Sequence, residues 1–184
     1  MVKQIRLLVA AAAYVLASPA AHAVDAFGVE YGHSDSGNVN VNLYRAAAQW
    51  EWKKPLLQLG SWNLGGYWES TFGYWQNNSF ARTTPGIYDF GFTPVFRLQP
   101  NNTKGFSVYA EAAVGAHFLS HTSLNDQRKF GSSFQFGDHV GAGVRFGERG
   151  QYELGYRYQH LSNAGIKEPN QGVNYNQVRL VYHF

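Results

Sequence analysis

Gln151-Tyr152-Glu153-Leu154-Gly155-Tyr156-Arg157-Tyr158-Gln159-His160-Leu161-Ser162 alternates with a period of two. Tyr152, Leu154, Tyr156 and Tyr158 share one parity, while Gln151, Glu153, Arg157 and Gln159 share the other. Successive side chains of an extended strand point to opposite faces, so the segment reads as a strand with one apolar face and one charge-bearing face. His160 and Ser162 fall on the apolar face. Residues i and i+2 of a strand lie roughly 6.5 Å apart on the same side, near enough for an imidazole and a hydroxyl to lean together as base and nucleophile. In a soluble protein that face would be core, and the pair would be an ordinary buried contact. The rest of the chain decides between the two settings.

The same alternation recurs on both sides of this stretch. It predicts strands over 26–32, 40–52, 57–74, 87–99, 106–118, 133–146 and 175–184, eight with the one quoted. Pro94, inside the fourth of these, predicts a bulge or a locally broken ladder, because proline cannot donate to a neighbouring strand. One face carries Phe27, Tyr44, Trp50, Trp68, Phe72, Phe90, Phe96, Val108 and Val140, and the other Arg45, Glu51, Glu69, Asp89, Arg97, Glu111, Arg145, Glu153 and Arg157. Connections after the second, fourth and sixth strands are short, and most of the others are longer. This is the pattern of an all-β, eight-stranded antiparallel transmembrane β-barrel of the outer-membrane type, with apolar residues outside and charges inside. Eight strands enclose only enough room for side chains, so the inner charges are expected to pair rather than to line a pore. A soluble, lipocalin-like barrel with the apolar face inward is the competing architecture; the large aromatics at strand ends, the terminal Phe184 and the abundance of charge on one face favour the membrane form.

Residues 1–23 read as a cleaved signal peptide, with Lys3 and Arg6 ahead of an apolar run and Ala21-His22-Ala23 as the cleavage pattern, leaving 24–184 as a single outer-membrane barrel domain. Removing Lys3 and Arg6 takes the formal charge from +3 to 3 − 2 = +1, which gives no reason to expect a nucleic-acid partner. Cysteine is absent, so no disulfide is used in the exported compartment. After the signal segment no apolar run approaches the ~20 residues of a spanning helix, whereas aromatics make up 16% of the chain and glycines number 20. The histidines His33, His117, His121, His139 and His183 have no ligand-like spacing and read as structural rather than metal-binding. A Gly-x-Ser-x-Gly elbow and a phosphate-binding glycine loop are both absent, which excludes the usual soluble hydrolase and nucleotide signatures. Lys167 and Arg128-Lys129 sit in loops, where cations are usually solvated but can meet anionic head groups.

If the apolar face meets lipid, His160 and Ser162 stand near the outer end of their strand and point into the outer leaflet. A base and nucleophile there would act on a lipid ester. His160-Leu161-Ser162-Asn163-Ala164-Gly165-Ile166-Lys167, with Pro169-Asn170 behind it, resembles the signature of the PagL family of outer-membrane lipid A 3-O-deacylases. Tyr44-Arg45 and Trp50-Glu51-Trp52, the strand pattern and the C-terminal strand extend the resemblance over the mature chain. The resemblance implies hydrolysis of the 3-O-linked acyl ester of lipid A in lipopolysaccharide, release of a 3-hydroxy fatty acid, and no metal or other cofactor. It implies Ser162 as nucleophile, His160 as general base, and Asn163 with the Gly165 N–H as the oxyanion hole. The family's orienting Glu falls at position 174, which here is Asn174. An amide oxygen can fix the imidazole tautomer but brings no negative charge; Glu168 and Asn176 are the other residues within sequence reach. A non-enzymatic structural or adhesive barrel is the alternative. Exposed aromatics leave room for a homodimer, for which the sequence specifies no interface.

Overall fold

The computed structural model describes residues 23–36 and 39–184, so the expected signal peptide lies outside the described residues apart from Ala23. Its strands are β1 (Ala26–Ser36), β2 (Val39–Glu51), β3 (Leu57–Leu59), β4 (Trp62–Asn77), β5 (Gly86–Pro100), β6 (Ser107–Leu119), β7 (Ser123–Asn125), β8 (Arg128–Lys129), β9 (Phe134–Phe146), β10 (Tyr152–Ser162) and β11 (Val173–His183). The eight long strands pair antiparallel in the order β2-β1-β11-β10-β9-β6-β5-β4, and β4 returns to β2 to close the sheet. Closure leaves the wall with no free edge, a requirement for any sheet that crosses a bilayer.

The alternation resolves into an inside-out barrel. In β10, Glu153, Arg157 and Gln159 are buried while Tyr152, Leu154, Tyr156 and Tyr158 are exposed, and the other long strands repeat the pattern. Buried charge with exposed aromatics excludes the lipocalin-like arrangement. Inside, Arg157 donates to Glu111, Glu69 and Glu30 at 2.6, 2.7 and 3.1 Å, Arg97 to Glu111 and Glu153 at 2.7 Å each, Arg179 to Glu69 at 2.7 Å, and Arg45 to Asp89 at 2.7 Å. Ions removed from water are tolerated only when paired and hydrogen-bonded to this degree. Glu51 and Arg145 pair at 3.4 Å nearer the rim, where Glu51 is half exposed.

Three features depart from the simple strand pattern or refine it. The strand expected over 57–74 is two: a turn at Gly60, with φ +65°, folds Leu57–Leu59 back so that Leu57 pairs with Leu64. Pro94 interrupts the β5–β6 ladder without shifting it, since pairing runs through Phe92↔Ala116 and resumes in the same register at Val95↔Ala113. At the end with the longer loops the inner face turns from charged to apolar. There Val41, Leu43, Trp75, Ile87, Leu161, Val173 and Tyr175 form one buried cluster, closed from above by Leu124 and Phe130 of the β6–β9 connection. The Trp75 ring meets Tyr175 at 5.2 Å and Phe130 at 6.2 Å, both edge to face. This plug backs the wall that carries the candidate site.

Candidate active site

His160 lies one residue pair below the end of β10, flanked in register by Asn174 of β11 and Asp138 of β9. Register partners share a face, so the three side chains stand in one row across the outside of the barrel. His160 Nδ1 and Asn174 Oδ1 are 2.5 Å apart. An amide oxygen only accepts, so the contact requires the proton on Nδ1 and leaves Nε2 with the lone pair that a general base needs. Of the three residues within sequence reach of His160, Asn174 is the one bonded to it. Glu168 accepts the Asn170 N–H at 3.0 Å, and Asn176 accepts the Tyr156 hydroxyl at 2.5 Å.

Ser162 is the next residue of that parity and is half-buried. Among the described residues its hydroxyl makes no hydrogen bond to the imidazole. Between them, Leu161 points inward, is 0% exposed, and belongs to the plug. Anchoring the intervening residue fixes the height and direction of its two neighbours. Gly172, directly after which β11 begins, adopts φ +61°, and a β-carbon there would lie 2.7 Å from His160 Cε1 and 2.9 Å from the Leu161 carbonyl oxygen. Only glycine supplies both that backbone conformation and the space for the ring.

The loop between β10 and β11 is built around Asn163, itself 0% exposed. Its N–H donates to Asn170 Oδ1 at 2.9 Å, its amide Nδ2 to the Lys167 carbonyl at 2.6 Å, and its Oδ1 accepts the Gly165 N–H at 3.0 Å. The two expected oxyanion donors, Asn163 and Gly165, are therefore engaged inside the loop. Ala164 and Gly165 both take left-handed conformations, φ +55° and +77°, and the exposed Ala164 N–H has no partner among the described residues.

The β6–β9 connection braces this loop. Arg128 Nη1 donates to the carbonyls of Gln171 and Gly172 at 2.8 and 3.0 Å, the Lys129 N–H donates to Gln171 Oε1 at 2.7 Å, and Phe130 bridges to Asn170. Arg128 is thus not a free cation awaiting a head group. Sequence reasoning placed Arg128 only among loop cations and did not single out Gly172; the Arg128 contacts span some 43 residues and leave no local signal.

Beside His160 a groove of about 420 Å³ runs along the outer wall, lined by Phe96, Ala112, Val114, Val140 and Tyr158, with Asp138 and His160 at one side. It exists where β6 turns a small residue outward: Ala112 is exposed between Phe96 of β5 and Val140 of β9. A mainly apolar trough that reaches His160 suits an acyl chain. The sequence also matches a family model described as lipid A 3-O-deacylase (PagL) over residues 42–183. It is 36% identical over 132 residues to the lipid A deacylase PagL of Pseudomonas aeruginosa, covering 71% of each chain. With the corresponding protein of Bordetella bronchiseptica it is 38% identical over 133 residues, covering 68% of this chain and 70% of that one. The crystal structure of the outer membrane enzyme PagL superposes with a TM-score of 0.73 at 28% identity, covering 86% of this chain and 99% of that chain. These matches make this inside-out, outer-membrane barrel a member of the PagL family.

Proposed function

We propose that this protein is a serine esterase of the outer leaflet, hydrolysing the 3-O-linked acyl ester of lipid A and releasing a 3-hydroxy fatty acid. The observation that carries the reading is the 2.5 Å contact of His160 Nδ1 with Asn174, which leaves Nε2 as a base on the same wall as Ser162. Nε2 takes the Ser162 proton as Oγ attacks the acyl carbonyl carbon. The ester C–O bond then breaks, and the departing sugar alkoxide takes that proton from the imidazolium. Water repeats the sequence on the acyl-enzyme, with His160 again as base, and the free hydroxy acid leaves.

The oxyanion is stabilised from the β10–β11 loop. Asn163 and the Gly165 N–H serve once the developing charge competes for the hydrogen bonds that hold them at rest, with the Ala164 N–H between them. In other acyl-transfer enzymes each such donor is worth about 2.7 to 4 kcal/mol. The row of side chains faces the bilayer, so the ester is reached with its acyl chain lying along the groove by Ala112 and Val140. Residues 1–23 act as the export signal. A homodimer has no support in these observations.

A structural or adhesive barrel is the second reading, and it has one observation in its favour: the neutral Asn174 where the family motif carries Glu. Mass spectrometry of lipid A from cells expressing the parent and Ser162→Ala separates the two. Loss of one 3-hydroxyacyl mass with the parent alone establishes the reaction, whereas loss with both chains overturns the nucleophile. No loss with a folded parent favours the second reading.

A further inference from the structure

The pairing of β11, β1, β2 and β4 puts four polar side chains in one outward row: Asn176 opposite His33, His33 opposite Asn42, and Asn42 opposite Gln76. All four stand at the end with the longer loops and are exposed or half-buried. One residue pair nearer the middle of the barrel, Tyr31, Tyr44, Tyr74 and Tyr88 form a second row across β1, β2, β4 and β5. Tyrosines in such a belt sit where acyl chains give way to head groups, so the polar row beyond them lies at head-group level. The outer ends of β6 and β9 differ, because Phe118, Phe134 and Phe136 stay in ring contact there, at 5.5 and 4.9 Å. The polar row is thus one sector of the rim. Its member on β11, Asn176, is two residues along from Asn174, the register partner of His160.

The tyrosines set the chemistry of the row. Tyr156 donates its hydroxyl to Asn176 Oδ1 at 2.5 Å, Tyr31 to Asn42 Oδ1 at 3.1 Å, and Tyr44 to Gln76 Oε1 at 3.5 Å. His33 Nδ1 lies 2.9 Å from the same Asn42 oxygen, which can only accept. Every amide oxygen of the row is therefore engaged, while the three amide nitrogens have no partner among the described residues. They offer N–H donors with no carboxylate in the row beside them. Phosphate oxygens only accept, and hydrogen bonds to them are charge-assisted. At about 4.8 Å per strand spacing the row spans roughly 14 Å, enough for a phosphorylated disaccharide.

We propose, on the reading of His160 and Ser162 as an esterase pair, that Asn176, Asn42 and Gln76 bind the phosphorylated sugar head of the lipopolysaccharide being deacylated. The groove for the acyl chain leaves His160 across β9, β6 and β5, and the amide row leaves it the opposite way, across β11, β1, β2 and β4. The scissile ester joins acyl chain to sugar. A molecule held by both surfaces has that ester at their junction, beside His160 and Ser162.

The test uses the full-length protein in detergent micelles. Asn42→Asp combined with Asn176→Asp keeps the oxygens that Tyr31, His33 and Tyr156 use and removes the donors. The double variant is expected to raise KM for lipopolysaccharide at least about ten-fold with kcat little changed. Its KM for a p-nitrophenyl ester of a 3-hydroxy fatty acid, which has no sugar phosphate, is expected to stay within about twofold of the parent. On dephosphorylated lipopolysaccharide the penalty is expected to disappear. Binding of lipopolysaccharide to the Ser162→Ala chain, a readout that needs no hydrolysis, is expected to weaken by the same factor when the two Asp substitutions are added. Heat-modified gel mobility shows that each barrel has formed. Unchanged binding and KM in a folded double variant overturn the proposal. Equal rises on lipopolysaccharide and the small ester overturn it too, since they place the effect at the ester or on bulk phospholipid, and so does a penalty that survives dephosphorylation. If Ser162→Ala still hydrolyses, or the parent does not, the esterase reading has failed, and the binding measurement decides the amide row by itself.

Discussion

Replacing Asn174 by Glu is expected to raise kcat about ten-fold. The side chain at 174 already stands in hydrogen-bonding contact with His160 Nδ1, at 2.5 Å, so the change alters the charge of an existing partner without creating a new one. A net hydrogen bond between neutral groups is worth about 0.5 to 1.5 kcal/mol and one to a charged group about 1.5 to 3, a difference of roughly 1 to 1.5 kcal/mol. At 1.36 kcal/mol per tenfold, that is about one order of magnitude in rate. The difference is realised only when the ring is protonated, so it enters kcat rather than substrate affinity. Position 174 is half-buried. The assay is release of 3-hydroxy fatty acid from lipopolysaccharide in vesicles under saturating substrate. A kcat for Asn174→Glu equal to or below that of the parent, in a chain with the heat-modified mobility of a folded barrel, would refute the reasoning.

Three further outcomes follow from the packing. Gly172→Ala is expected to cut kcat at least about ten-fold while leaving the barrel folded, since the new β-carbon meets His160 Cε1 at 2.7 Å in a φ that disfavours alanine; hydrolysis and gel mobility measured together check it. Arg128→Ala removes both hydrogen bonds to the Gln171 and Gly172 carbonyls, about 1.5 to 3 kcal/mol each when the donor is charged, and is expected to speed proteolytic nicking within 163–172 and to lower activity. Arg157→Ala removes one of the two guanidinium groups shared by Glu30, Glu69 and Glu111, leaving Arg179 as the other, and unfolding by urea in detergent is expected to show a loss of about 3 kcal/mol.

The strands were legible wherever one face was polar and the other apolar, because period-two reading needs that contrast. It vanishes at the outer end, where Val41 and Leu43 face inward next to the outward Tyr44, so the plug carried no signal of its own. The strand expected over 57–74 also runs through the Gly60 turn, although the apolar parity switches there, from Leu57 and Leu59 to Trp62 and Leu64. Parity alone puts His160, Ser162 and Asn174 on the outer wall. It puts Asp138 there too, but an acid in a row of Phe and Val looks like noise until the register sets it opposite His160. Gly172 acts by leaving room for His160 and Arg128 by bracing one loop from another, and no periodicity reports either.

The outward row at the candidate site and the charged interior are coupled through register. Asp138, His160 and Asn174 share a face only because β9, β10 and β11 pair as they do; a slip of one residue would turn His160 into the barrel and bring Gln159 out. Along β10 the inward residues that resist such a slip are Leu161 in the plug, Gln159 against Arg45 at 2.9 Å, and Arg157 among Glu30, Glu69 and Glu111. Those partners sit on β1, β2, β4 and β6, so the position of His160 is fixed from across the lumen as well as from its neighbours. A wall one residue thick cannot shelter a site behind further layers of protein. The buried ion network does for this site what a supporting shell of side chains does in a globular enzyme, with half of every strand given to holding the other half in place.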